Sequence, residues 1–266
     1  MFALLLFACN DTLLIDQTGD YNSLVGPDEG GDTADTEALD AEWSDATLRI
    51  ETPTSASFLP LGEPHTFKAT VYGADGEPKD FPDITWASDI DTDWALVGQE
   101  MEDSTLSSGI HSLTAEARLP NGDRLASTIG GVLVQSIYAG VYVGELQVTA
   151  AGEYNGQEIA VGCAGPLTMV VDAEGEVATG DAGCLISLLG YDLDTTYVFD
   201  LGNDMGDITG EAAIDLTLFQ YGVETTGSLS EDGELEGTFA ADVYGYLALE
   251  AVYTASLLTR DLSTVE

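Results

Sequence analysis

The residues of this chain that most invite chemistry are carboxylates. Asp89, Asp91 and Asp93 stand at alternate positions, with Glu100 at the twelfth place counted from Asp89. A calcium loop presents its oxygen ligands in that order, so a calcium site on Asp89, Asp91 and Asp93 is one expectation. Against it, the sixth place holds Trp94 and not the glycine that such a loop needs for its sharp turn. The alternative is an acidic loop solvated by water. Beyond this cluster, 48 acidic residues make carboxylate pairs unavoidable at any spacing, so no pair singles out general acid–base work. The sequence carries no Gly-x-Ser-x-Gly elbow, no paired-histidine zinc motif and no phosphate-cradling glycine loop. His65 and His111 are its only histidines, and His111 shares strand parity with Leu113 and Ala115, which reads as an inward structural side chain. The chain is therefore expected to be non-enzymatic, with calcium as the one cofactor to consider.

Three cysteines carry the remaining chemistry. Cys9 ends the apolar run Met1-Phe2-Ala3-Leu4-Leu5-Leu6-Phe7-Ala8. That run is far shorter than the ~20 residues of a membrane-spanning helix and reads as the end of a secretory signal. Leu6-Phe7-Ala8-Cys9 resembles the bacterial lipobox. The resemblance implies cleavage before Cys9, a diacylglycerol on its sulfur, and a lipoprotein of the cell envelope at the outer membrane or cell surface. No Lys or Arg precedes the run, a departure from a full signal. Cys163 and Cys184 are then left as an even pair in an exported chain, which reads as one disulfide, the alternative being two buried thiols.

Charge narrows the partners. Six basic residues against 48 acidic ones give a net charge of −42. A nucleic-acid binder must neutralise phosphates with Lys and Arg, so nucleic acid is excluded as a partner, and anionic head groups are poor ones. Cations, cationic surfaces and neutral polymers stay open, and a glycan or protein ligand at the surface is the expected partner class. The charge is also uneven. Residues 10–45 hold 11 acidic and no basic residues, residues 46–136 hold 14 and 5, and residues 137–266 hold 23 with Arg260 as the one base. The first of these stretches lacks periodicity and reads as a disordered acidic linker. As a flexible tether it would span roughly 33 Å, clear of a membrane's head groups.

The elements that would position these residues are strands. In 46–136, Thr47–Glu51, Thr66–Tyr72, Ile84–Trp86, His111–Leu119 and Leu125–Val134 alternate or carry strand-favouring residues. Pro60 and Pro64 mark an edge or turn, and Pro120-Asn121-Gly122-Asp123 predicts a hairpin with positive φ at both Asn121 and Gly122. This spacing argues for a β-sandwich. Leu61-Gly62, Phe67–Val71, Ile84–Asp91, Leu106–Ala115 and Asn121-Gly122 resemble bacterial immunoglobulin-like and PKD-like modules, with Thr92 where those often carry Gly. The resemblance implies a spacer or adhesion module without chemistry of its own.

Residues 137–260 read as a glycine-rich antiparallel meander, a closed β-barrel or a coiled β-sandwich, followed by a tail at 261–266. The apolar faces are Tyr142/Leu146/Val148, Leu167/Met169/Val171, Ala212/Ile214/Leu216/Leu218, Phe239/Ala241/Val243 and Leu247/Leu249/Ala251/Tyr253. A unit of Gly, any, apolar, any, Gly recurs at 140–144, 206–210 and 233–237, with a longer version at 175–180. Its first Gly suits a turn and its second a bend or close approach within a strand. The spacing resembles lipocalin-like and transferrin-binding-protein-like barrels of surface lipoproteins, which implies a ligand-binding or structural head. Tyr138, Tyr142, Tyr154, Tyr191, Tyr197, Tyr221, Tyr244, Tyr246 and Tyr253 either line a sugar-binding face or simply fill half-buried strand positions. The chain is thus expected to be all-β.

Overall fold

The computed structural model describes residues 41–264, apart from 155, 189, 216–219, 244 and 246. Cys9, residues 10–40 of the acidic linker, Leu216, Leu218, Tyr244 and Tyr246 lie outside the described residues. The described chain is all-β, in two units joined in series.

The first unit holds β1 (Thr47–Thr52), β2 (Phe58–Pro60), β3 (His65–Tyr72), β4 (Pro78–Lys79), β5 (Ile84–Ser88), β6 (Ala95–Val97), β7 (Glu100–Asp103), β8 (Gly109–Arg118) and β9 (Arg124–Gln135). One sheet has the order β1-β3-β4 with β7 also on β3, and the other runs β2-β9-β8-β5-β6. Strand alternation explains the layering. β5 is buried at Ile84, Trp86 and Ser88 and exposed between them, and β8 turns His111, Leu113, Ala115 and Ala117 inward. These side chains meet Phe67, Ala69 and Val71 of β3 in one core. Phe67 packs edge-on against Trp86 at 5.9 Å and at a tilt against Trp94 at 5.3 Å, and Trp86 Nε1 donates to the Gly98 carbonyl at 3.1 Å. Pro60 sits in β2, an edge strand that pairs only with β9 and in parallel, where its missing N–H leaves no central ladder broken. β4, β6 and β7 are two to four residues long, too short for alternation to reveal them in the sequence. The hairpin after β8 also differs from expectation. Only Gly122 takes positive φ, at 94°, and Leu119 N–H donates to the Asp123 carbonyl at 2.8 Å. The connection is a longer turn closed by a glycine, not a two-residue one.

The second unit is a closed barrel of β10 (Gly140–Tyr154), β11 (Gln157–Val171), β12 (Val177–Leu188), β13 (Tyr191–Asp204), β14 (Asp207–Asp215), β15 (Gln220–Leu229), β16 (Glu234–Val243) and β17 (Leu247–Thr259). Each strand pairs antiparallel with the next, and β17 closes onto β10. Inward positions are mostly apolar and outward ones mostly polar or charged, as along β13, where Thr195, Tyr197, Phe199 and Leu201 are buried between exposed Asp194, Thr196, Val198 and Asp200. A membrane-crossing barrel has the opposite alternation, apolar outside and polar inside. Among the described residues no helix is long and apolar enough to cross a membrane.

The paired glycines take the two roles foreseen. In the turn between β13 and β14, Met205 and Gly206 both have positive φ, 51° and 98°, which matches the right-handed twist of the flanking strands. Inside the barrel, a Cβ on Gly237 would lie 2.2 Å from the Tyr253 ring, so only glycine leaves that ring its place.

The junction is short. Gln135 ends β9 and Gly140 begins β10. Arg260, the one base of the second half, donates from Nη1 to the carbonyls of Ile137 and Ala139 and lies 4.7 Å over the Phe58 ring of the first unit. Its own carbonyl accepts from Gln135 Nε2 at 2.9 Å, and Ser108 Oγ donates to Glu174 at 2.6 Å.

Candidate functional site: the free end of the barrel

The carboxylates singled out first are tied into loop scaffolding. Asp89 accepts the Ser112 N–H at 2.6 Å, and that bond holds its carboxyl below the usual range. Asp91 accepts the Ser107 N–H at 3.1 Å, Asp93 is exposed, and Glu100 pairs with Lys68 at 2.8 Å. Trp94, at the place where a calcium loop needs glycine, turns into the core and donates to Asp103 at 2.9 Å. Among the described residues no three His, Cys, Asp or Glu side chains approach closely enough to hold a metal. His111 is fully buried, bonded to Ser88 Oγ at 2.8 Å and to the Ser107 carbonyl at 2.9 Å, so it ties the loop after β5 to the start of β8.

The barrel interior is filled. Tyr142, Leu146, Leu167, Met169, Tyr197, Phe199 and Tyr253 are almost wholly buried in one cluster. Three of the tyrosines are thus core side chains. Tyr142 donates to the Tyr138 carbonyl, and its burial pushes the hydroxyl pKa up to about 12, against a small opposing effect of Arg260. Of the tyrosines with described side chains on the barrel strands, Tyr191 alone is largely exposed, at 74%.

The wall, in contrast to the core, is incomplete. Most ladders run nearly the whole strand, as from Gly140↔Val171 to Tyr154↔Gln157 between β10 and β11. Two stop halfway. The β11–β12 ladder covers only Leu167↔Ala182 to Val171↔Ala178, and the β15–β16 ladder only Thr225↔Phe239 to Leu229↔Leu235. Both retained halves lie at the end nearest the first unit. Toward the free end, no ladder joins β11 to β12 or β15 to β16, so main-chain pairing there is confined to two four-stranded groups, β12 to β15 and β16-β17-β10-β11, although β11 and β12 stay adjacent, with the Cys163 and Cys184 Cα atoms 5.7 Å apart. Here the inward side chains Ile159, Val161, Leu193, Tyr221, Ala241 and Leu247 are only half-buried.

The two seams are held differently. Cys163 and Cys184 form the expected disulfide across the first, just beyond the last ladder pair. Pro166 follows that pair on β11 while keeping its register with Glu145 on β10, so a strand position without an N–H marks where the first seam begins. The second seam has no covalent tie. Tyr221 reaches across it from β15, and its hydroxyl donates to the Asp242 carbonyl of β16 at 3.1 Å. Beside the start of this seam, across the outer face of β15, β16 and β17, lies an open groove of about 390 Å³ lined by Glu224, Thr226, Thr238, Ala240, Glu250 and Val252, with Phe239 and Ala251 also on its lining. Outside it, Asp200, Glu211 and Glu224 stand opposite one another on three neighbouring strands. Periodicity could not expose the seams, because the alternation of β15 and β16 continues unbroken past the point where their pairing ends. Pro166 was the available sequence signal for the first.

No protein-family model matches the sequence, and no curated protein does.

Proposed function

We propose that this chain is a non-enzymatic lipoprotein of a bacterial cell envelope, in which a lipid on Cys9 and the acidic segment from residue 10 tether an immunoglobulin-like sandwich that carries a recognition barrel outward, the tether ending before the expected residue 45 because Trp43 is buried in the first unit's core against Phe81. The observation that carries the reading is the order of the parts. The described chain enters at the end of the first unit where Ala74 N–H meets the Glu42 carbonyl and Lys79 pairs with Glu42. It leaves at the other end, where Gln135 meets Pro60 and Arg260. A tether and a head at opposite ends are what a spacer requires.

The filled interior favours recognition on the outside and at the free end over carriage of an enclosed small molecule. Tyr142, Tyr197 and Tyr253 are buried and offer no stacking face to a sugar, whereas half-paired strands offer main-chain groups to a polypeptide. The partner is accordingly a protein, and the protein acts without a resident cofactor. Expression of the full chain in a diderm bacterium with labelled palmitate tests this. Label and membrane association are expected for the wild type, and both are lost in Cys9→Ser. An unlabelled wild-type chain in the soluble fraction would contradict the proposal.

A further inference from the structure

We propose that the β15–β16 seam is a strand-acceptor site for an extended partner segment in which apolar and basic residues alternate. The argument starts from the main chain. Residues 220–224 of β15 are paired on one side with β14, and residues 240–243 of β16 with β17, while between the two no ladder forms. In each stretch alternate N–H and C=O groups point along the seam, and a main-chain edge of this kind is a template for another strand. The gap is bridged by a side chain, Tyr221, whose hydroxyl donates to the Asp242 carbonyl, a group that a strand would bond in its place. An inserted strand would run antiparallel to one wall and parallel to the other, since β15 and β16 are themselves antiparallel.

Side chains set the sequence of the occupant. Those turned inward would meet Tyr221, Val223, Phe239 and Ala241, which asks for apolar residues at every second position. Those turned outward would meet Glu224 and Glu250 at the groove, with Glu211 beside Glu224. A chain of net charge −42 with no base on the barrel apart from Arg260 at the opposite end selects Lys or Arg at the alternate positions. The other seam cannot serve the same role, because Cys163–Cys184 crosses it. The unlaced seam is therefore the one that can widen, and Tyr221 is its latch.

This inference rests on the barrel being the recognition head, but its test is done on the full chain in solution and does not depend on lipidation or display. The probe is a blocked, fluorescent peptide of alternating valine and lysine, about eight residues long so as to cover one edge. Binding is followed by anisotropy, and its location by hydrogen exchange. The expected result is saturable binding that protects amides in 220–224 and 240–243. Tyr221→Phe removes only the latch bond and is expected to tighten binding about fivefold, the net worth of one hydrogen bond. A peptide N-methylated at alternate residues keeps its charge and shape but lacks donors, and is expected to bind at least about tenfold more weakly. A valine–glutamate peptide should not bind. The proposal is overturned by no binding of the valine–lysine probe, by equal binding of the N-methylated form, by unchanged or weaker binding to Tyr221→Phe, or by protection elsewhere.

Discussion

Replacing both Cys163 and Cys184 with alanine tests how the first seam is held. The bridge links positions 21 residues apart. On the chain-entropy model, closing a loop of that size stabilises by about 3 kcal/mol. The barrel strands from Gly140 to Thr259 unfold with an entropy of roughly 2 cal/mol/K per residue, so the loss corresponds to a fall in barrel Tm of roughly 10 °C. Geometry adds a local signature. Beyond Leu167↔Ala182 no β11–β12 ladder supports the wall, so the amides of 157–166 that face β12, and of 183–188 that face β11, should exchange faster in the variant. The amides of 167–171 and 178–182 should change only with global stability. Calorimetry of the full chain and peptide-resolved hydrogen exchange read both effects. A Tm change of under about 2 °C, or an equal rise in exchange on both sides of Leu167, would refute the idea that the disulfide replaces a missing ladder.

Three other perturbations follow from the packing. Gly237→Ala would place a Cβ 2.2 Å from the Tyr253 ring and should cost about 1–3 kcal/mol in chemical denaturation, whereas in a Tyr253→Leu background the same change should be close to neutral. Asp103 is pushed up by burial, but hydrogen bonds from Trp94 and from the Thr105 N–H and hydroxyl outweigh that and hold its carboxyl below the ordinary range. Its folded pKa is the lower one, so its stabilisation is present above about pH 3.9 and fades as the pH falls through the folded value. Asp103→Asn should therefore weaken the sandwich at pH 7 and match the wild type at strongly acid pH, by tryptophan fluorescence in urea. Arg260→Ala removes the bonds to Ile137 and Ala139 and the contact over Phe58. It should leave each unit folded but let the two tumble independently in NMR relaxation, and an unchanged common correlation time would count against Arg260 as the junction's clamp.

Much of this architecture was legible because side-chain alternation is a direct record of which face is buried. Thr66–Tyr72, His111–Leu119 and the barrel strands carry that record, and glycine at 206 and 237 added turn and close-approach positions. Cysteine parity was enough to pair Cys163 with Cys184. The spacing of Asp89, Asp91, Asp93 and Glu100 says little about their surroundings, because linear spacing does not say that Trp94 is drawn into the core and that Glu100 starts a strand beside Lys68. The seams stayed hidden for a related reason. Pairing is a property of two strands at once, and β15 and β16 each look like complete strands when read alone. The feature on which the proposed recognition rests thus lies between elements, where a single sequence is least informative.

The most direct test of an anchored protein with an outward barrel is labelling of the barrel's free end on living cells. Tyr191, 74% exposed where β13 begins, can be replaced by cysteine and treated with a membrane-impermeant maleimide. The account predicts labelling of intact cells producing Tyr191→Cys, and loss of that label from the cells when Cys9→Ser is added. Labelling that appears only after the cells are broken open would contradict it.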